Sequence, residues 1–296
     1  MKTLTVFTPT YNRAHTLERV YDSLCRQTSM DFEWMIIDDG STDGTKDLVH
    51  GFCEEQKLNI HYIYKENGGL YTGYNVAYEK IKTELCVCID SDDYMPDDAV
   101  EKIVDFWNRY GSDKYAGLLG LDYNVASQEI IGGKFPEEQK DVFFYDLTLK
   151  HIHSGDTKPV MRTALMKEVA PQIGFRGEKN FNPVYMMLQV CDNYPILLLN
   201  EVLCNVEYQV GADSMSQGIW KQYLNSPKSF AKLRLLEMSL KRNTFKNKIR
   251  VSIHYVASCF LSKDKQWLCN SPLKTLTVFV APFGLCLALM VLWKNK

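Results

Sequence analysis

The stretch Val87-Cys88-Ile89-Asp90-Ser91-Asp92-Asp93 sets three carboxylates at the mouth of an apolar run. Such a run has the length and composition of a buried strand. Asp90 and Asp92 lie two apart, so in extended chain they share a face. A turn after them brings Asp93 to the same place. Carboxylates packed this closely repel one another unless something positive neutralises them. Mg²⁺ or Mn²⁺ bridging to phosphates would do so, since hard cations prefer oxygen ligands. A polar loop after a strand, with Asp98 capping the next helix, accounts for the same residues. Spacing alone leaves both readings open.

Other residues able to do chemistry are spread along the chain. Asp38-Asp39-Gly40-Ser41 closes a second apolar run, Phe32 to Ile37. An Asx turn explains Gly40 and Ser41. It does not explain two adjacent acids beside another acid cluster. Arg162 carries a fixed fork of donors suited to a phosphate or an acidic loop, with plain solvent exposure as the alternative. Glu178-Lys179 sits in the glycine-punctuated segment from Pro171 to Pro183. It reads either as a surface ion pair or as an acid whose ionised form a neighbouring cation favours. His151 and His153 alternate, but no third soft ligand stands at a sensible spacing, so they read as loop or strand residues.

These groups need elements to hold them. Leu4–Thr8, Phe32–Ile37, Asn59–Lys65 and Leu85–Ile89 read as strands. Thr16–Arg26, Gly44–Gln56, Leu70–Ile81 and Asp97–Tyr110 read as helices between and after them. Asp43 or Thr42 caps the second helix. Repeated strand–helix units of this length mean a mostly parallel sheet covered on both faces. Ligands of such sheets gather at the carboxyl ends of the strands. Those ends carry Thr8 to Arg13, Asp38-Asp39, Glu66 to Gly69 and Asp90 to Asp93. No GxGxxG follows the first strand and no P-loop is present, so nucleotide phosphates would rely on the metal. Further on, Tyr115–Leu121 is a strand, Phe135–Ile152 does not resolve, Pro183–Cys191 is a helix and Ile196–Leu203 a strand. After Tyr208 the sequence is helical and increasingly basic.

Net charge is −2, which gives no general nucleic-acid signature. Nine scattered cysteines without a CxxC pair fit a reducing, cytosolic setting, and the first apolar run is too short for a signal peptide. From Lys221 to Lys274 there are twelve Lys/Arg against Glu237 and Asp264. Thr275 to Trp293 then runs for 19 residues without a charge. That is the lower edge of a bilayer span. A soluble protein could bury it as a core helix, but its basic approach favours an anionic membrane surface, at about 1 kcal/mol per cation close to it. Pro282 and Gly284 leave a full span and a bent, shallow insertion equally open.

Phe7-Thr-Pro-Thr-Tyr-Asn-Arg13, Ile37-Asp-Asp-Gly-Ser-Thr-Asp43 and Asp90-Ser-Asp-Asp-Tyr-Met-Pro-Asp97 together resemble the N-terminal signatures of inverting family 2 glycosyltransferases. Arg162 and Gly177-Glu178-Lys179 are similar to the bacterial branch that builds capsular and other surface polysaccharides. The resemblance covers roughly residues 1 to 210. It implies a GT-A-type nucleotide-sugar-binding α/β fold over 1–210; composition and charge add a basic helical extension over 211–272 and an apolar membrane-associated tail over 273–296. By the same resemblance Asp39 accepts the N3–H of uracil, with Tyr11 stacking nearby and Thr8 at the pocket wall. Asp38 then braces the loop. Asp92 binds the metal, Asp90 the metal or ribose, and Asp93 a water or loop groups. Glu178 is the base that inversion needs, and Lys179 or Arg162 a phosphate partner. The chain departs from the pattern at Asn180-Phe181-Asn182-Pro183-Val184, where the spacing changes and a second acid is lost. The implied activity is metal-dependent transfer from a UDP-sugar to a saccharide, polyprenyl-diphosphate-linked acceptor at the cytoplasmic face of a bacterial membrane. A non-catalytic nucleotide-sugar-binding protein on the same fold is the alternative.

Overall fold

The computed structural model describes residues 2–207 and 218–295. The first half alternates strictly: β1 (Leu4–Thr10), α1 (Ala14–Cys25), β2 (Phe32–Asp38), α2 (Thr45–Glu54), β3 (Ile60–Tyr64), α3 (Leu70–Lys80), β4 (Leu85–Cys88) and α4 (Ala99–Tyr110). The middle holds β5 (Gly117–Asn124), β6 (Glu129–Ile130), β7 (Asp141–Val142), α5 (Phe144–Leu149), β8 (Thr157–Arg162), α6 (Thr163–Val169), α7 (Val184–Cys191) and β9 (Ile196–Val206). Five helices close the chain: α8 (Ile219–Asn225), α9 (Pro227–Ser239), α10 (Phe245–Ser262), α11 (Trp267–Asn270) and α12 (Lys274–Lys294).

The strands form one mixed sheet in the order β3-β2-β1-β4-β8-β5-β9-β7, with β6 on β5. β1 to β4 are mutually parallel. β8 runs antiparallel between β4 and β5, and β9 is parallel to β5. The alternation of side chains explains both cores. Leu4, Val6, Trp34, Ile36, Leu85 and Val87 face α1, α2 and α4. Phe7, Met35, Ile37 and Cys86 face α3, α6 and α7. Both faces being covered, these strands read as continuous apolar runs rather than as alternating ones.

The expected boundary at 210–211 lies outside the described residues. The C-terminal helices are packed onto the sheet domain rather than detached from it. Leu233 of α9 and Leu240 just past its end share a buried cluster with Phe181 and Leu188 of the α7 region. A further core joins α9, α10 and α12 through Met238, Val251, Tyr255, Val256 and Val280. α12 comes closest to α10 at Gly284, where an added Cβ would stand 2.5 Å from the Val256 side chain.

That contact gives a stability prediction. Gly284→Val should force α12 away from α10 at a cost of about 1–3 kcal/mol, the usual range for overpacking. A lowered urea midpoint, followed by tryptophan fluorescence, is the expected result; an unchanged midpoint would mean that the two helices do not depend on this approach.

Candidate active site

The chain moves outward from β1 to β2 to β3 and returns to β4 on the other side of β1. This reversal creates the crevice where open α/β sheets bind ligands. The loops after β1 and β2 are stitched into one surface. Asp39 N–H donates to the Thr10 carbonyl at 2.8 Å. Asn12 N–H donates to Ser41 Oγ at 2.9 Å, and Thr42 N–H to Asn12 Oδ1 at 2.8 Å. Asn12 makes this possible by taking φ +53°, a left-handed conformation that asparagine tolerates. Tyr11 between them is 48% exposed and free to meet a ligand.

The two acids ending β2 do different things. Asp38 is buried; it accepts Ser41 N–H at 2.7 Å and the Tyr62 hydroxyl at 2.7 Å. It therefore braces its own turn. Asp39, also buried, reaches across to the turn before α3. Its oxygens accept Gly68 N–H at 2.9 Å and Gly69 N–H at 2.8 Å, with the Asn67 amide at 3.3 Å. Lys65 adds an ion pair. A carboxylate offers about four lone-pair sites, and these donors fill them. Gly69 sits at φ +94°, and a Cβ there would meet the Lys179 carbonyl at 2.1 Å. Lys179 Nζ in turn donates to Asn67 Oδ1. The Asp39 turn and the 177–182 segment are thereby one junction.

The acid loop after β4 is graded in exposure: Asp90 is exposed, Asp92 half-buried and Asp93 buried. Arg19 of α1 holds its backbone, donating to the Asp92 carbonyl at 2.7 Å. Paired backbone bonds between Tyr94 and Asn205, at 3.1 and 2.7 Å, tie the loop to β9. Burial, and then Asp90, raise the Asp92 carboxyl. Burial pushes Asp93 up to about 7 against the pull of Lys158, with Asp90, Asp92 and Asp122 acting in the same upward direction. Lys158 lies on β8, buried, 4.0 Å from Asp93 and 3.9 Å from Asp122. Burial pushes Asp122 up to about 6, again opposed by Lys158. Sequence reasoning passed over this lysine. Its signal was a cation in the second position of the strand Thr157–Arg162, followed by the apolar run Pro159 to Met161.

Does this loop fit a divalent ion? Among the described residues no three His, Cys, Asp or Glu side chains converge on a common point. Asp90 and Asp92 are two oxygen donors whose repulsion already raises one of them. They fit a cation that takes its remaining ligands from a bound diphosphate, as Mg²⁺ sites commonly do. They do not fit an all-protein cage.

Two expected site residues, Thr8 and Arg162, stand away from the crevice, and a third, Glu178, is engaged by a helix start. Thr8 is fully buried, and its hydroxyl accepts the Trp34 indole N–H at 3.0 Å. It is a core residue of β1 rather than a pocket wall, because its side chain faces α1 and α2. Arg162 pairs in register with Leu85, the first residue of β4. At about 3.3 Å per residue, the acid loop begins roughly 16 Å further along. The Arg162 guanidinium bonds the Asp113 and Tyr115 carbonyls at 3.1 and 3.3 Å and pairs with the Asp113 carboxylate. It closes the opposite end of the sheet and cannot clamp a phosphate at the crevice. Glu178 is buried and receives Lys228 N–H at 3.0 Å, Ser229 N–H at 2.7 Å and Ser229 Oγ–H at 2.7 Å. Those donors open α9, whose Pro227 supplies no N–H. Glu178 thus caps a helix from 49 residues upstream of Pro227, with the carboxylate where the helix dipole favours it.

Comparison with known proteins places the chain in a family. The sequence model of glycosyl transferase family 2 matches residues 5–165. The putative teichuronic acid biosynthesis glycosyltransferase TuaG of Bacillus subtilis is 35% identical over 221 residues, 74% of this chain and 83% of TuaG. The poly(ribitol-phosphate) beta-N-acetylglucosaminyltransferase TarS of Staphylococcus aureus is 27% identical over 170 residues, 57% of this chain but 29% of TarS. The crystal structure of TarS 1-349 in complex with UDP-GlcNAc superposes with TM-score 0.62 at 20% identity, covering 91% of this chain and 79% of that one. The mannosyltransferase PcManGT of Pyrobaculum calidifontis, in complex with GDP-Man and Mn2+, superposes with TM-score 0.57 at 17% identity, over 99% of this chain and 88% of that one. At these identities the two structures are similar in fold.

The contacts of Glu178 and Lys158 make two predictions. Glu178→Ala should cost about 1–3 kcal/mol, because it strands buried donors at the start of α9. Differential scanning calorimetry reads this directly, and an unaltered melting temperature would deny the cap. Lys158→Met should cost about 3 kcal/mol or more, as removal of one partner from a buried charge cluster does. Chemical denaturation at neutral pH is the check, and a neutral effect would mean that Asp93 and Asp122 do not depend on the lysine.

Proposed function

The chain belongs to glycosyl transferase family 2, and from that premise we propose that it moves a sugar, with inversion, from a UDP-sugar to a lipid-linked saccharide during bacterial surface polysaccharide synthesis. The observation that carries this reading is the meeting of the β1, β2 and β4 loops at the sheet's reversal point, with Asp39, Tyr11, Asp90 and Asp92 on them. The relationship to TuaG over most of both chains supports a surface-polysaccharide acceptor. The TarS relationship supports a UDP-linked donor.

In this reading Tyr11 stacks on the uracil, and the base N3–H takes the place of Lys65 on Asp39. Asp90 and Asp92 would hold Mg²⁺ or Mn²⁺, and a cation bound there would supply positive charge for the departing nucleoside diphosphate. Lys158 and Arg19 keep the acid loop in place from behind. The acceptor hydroxyl must lose a proton as it attacks. Glu178 is our candidate for that step, and it has one lone-pair site outside its three cap bonds. Membrane attachment belongs to the same reading. The α12 helix has a mean hydropathy of 2.3 over its best window, and the basic segment before it favours an anionic cytoplasmic leaflet.

Calorimetric titration of UDP with Mn²⁺ should show at least tenfold weaker binding in Asp92→Ala; equal affinity at saturating metal would remove Asp92 from the metal site. Glu178→Gln should lower kcat at least a hundredfold, the low end for loss of a general base, while UDP affinity holds. A change confined to KM and thermal stability would leave Glu178 as a helix cap alone. NMR of the product should show the anomeric centre inverted, and a retained centre would overturn the mechanism.

A further inference from the structure

Helix α12 is buried along one stripe only: Thr277, Val280, Gly284, Ala288 and Val291. The stripe recurs every three or four residues and runs the length of the helix. The opposite half is apolar and bare. Phe279 is 74% exposed, Phe283 59%, Leu289 56% and Trp293 69%. No charged side chain interrupts the face between Thr275 and Trp293. Exposed lysines stand at both ends, Lys274 at the start and Lys294 at the finish, with Lys263 and Lys265 in the connection from α10. At Trp293 the Lys294 ammonium lies 5.6 Å from the ring centroid.

We propose that this outer face lies flat in the headgroup boundary of an anionic bilayer, as an in-plane anchor and not as a span. The inference rests on the membrane attachment proposed above and decides its geometry. Two observations point the same way. First, α12 is fastened to α10 through Val280 and Gly284, with further contacts to α8 and α11, so standing it upright in the bilayer would carry α10 in with it. Second, α10 is a helix of the soluble body. It buries Asn247, Ser252 and Ser258, bonds Tyr223 through His254 at 2.6 Å, and bears Lys246, Lys248 and Arg250 near its start. Charged groups at that depth are costly. An in-plane helix needs none of this. It sinks its apolar half about 5–10 Å, keeps its lysines at the surface and gains from anionic lipid.

The test uses the full-length protein and large vesicles of phosphatidylcholine, with or without phosphatidylglycerol, added from outside. Co-sedimentation should be strong with phosphatidylglycerol and at least tenfold weaker for the triple variant Phe279→Glu, Phe283→Glu, Leu289→Glu. UDP affinity should stay unchanged in that variant. A C-terminal peptide tag should remain open to external protease. Nitroxide labels on Phe279→Cys and Trp293→Cys, and on native Cys286 after replacement of the other exposed cysteines, should report one shallow depth. A protected tag, or a label at 286 near the bilayer centre, would overturn the in-plane geometry while leaving membrane attachment standing. Equal vesicle binding by the triple variant would overturn the role of this face. No binding to either vesicle would reject attachment itself. A stable dimer that hides the face and ignores vesicles would identify a second copy as the occupant instead.

Discussion

The Asp39 carboxylate is the interaction on which the site depends. It leaves the end of β2 and takes the backbone N–H groups of Gly68 and Gly69, so the start of α3 is fixed relative to the first two strand-end loops. Gly69 then lets the Lys179 carbonyl approach within a distance that no side chain permits. Lys179 leads into the segment that packs Phe181 against the C-terminal helices. A buried carboxylate with so many donors is costly to leave unpaired. The turn, the loop and the helices beyond it therefore come together or not at all. Local sequence specifies each piece; this one charge fixes how they sit together.

The parallel half of the fold was legible because its signals are local. Apolar runs ending in Asp38-Asp39 and Asp90–Asp93 mark strand ends, and the intervening periodicity marks helices. The turn that Asp38 braces follows from local Asx chemistry, whereas the donors of Asp39 come from Gly68 and Gly69, about thirty residues on, with no local signal. The short β6 and β7 were not legible, since two-residue strands carry no period. The direction of β8 was equally hidden. Its antiparallel place between β4 and β5 is set by long-range pairing, and with it Lys158 enters the acid cluster while Arg162 leaves the crevice.

Glu178 and Thr8 show the same limit from the side of chemistry. Both are residue types that a nucleotide-sugar site uses. Thr8 lies one strand period before Thr10, the residue at the strand's end, and that displacement turns a pocket hydroxyl into a partner for Trp34. Glu178 lies in the expected loop, yet the donors that meet it come from about fifty residues further along, where no spacing rule reaches. Buried polar groups find partners wherever the fold brings them. Residue type narrows the possible roles; the three-dimensional neighbourhood selects among them.

The seating of α12 on α10 has a kinetic consequence. A chain held flat by one helix keeps a fixed orientation while it diffuses laterally, and its crevice stays at a constant height above the lipid. Encounters with a lipid-borne acceptor then become a search in two dimensions. The quantity that governs turnover is acceptor density per unit area rather than concentration in bulk water. Diluting the acceptor with inert lipid would slow such an enzyme, whereas enlarging the aqueous volume would not.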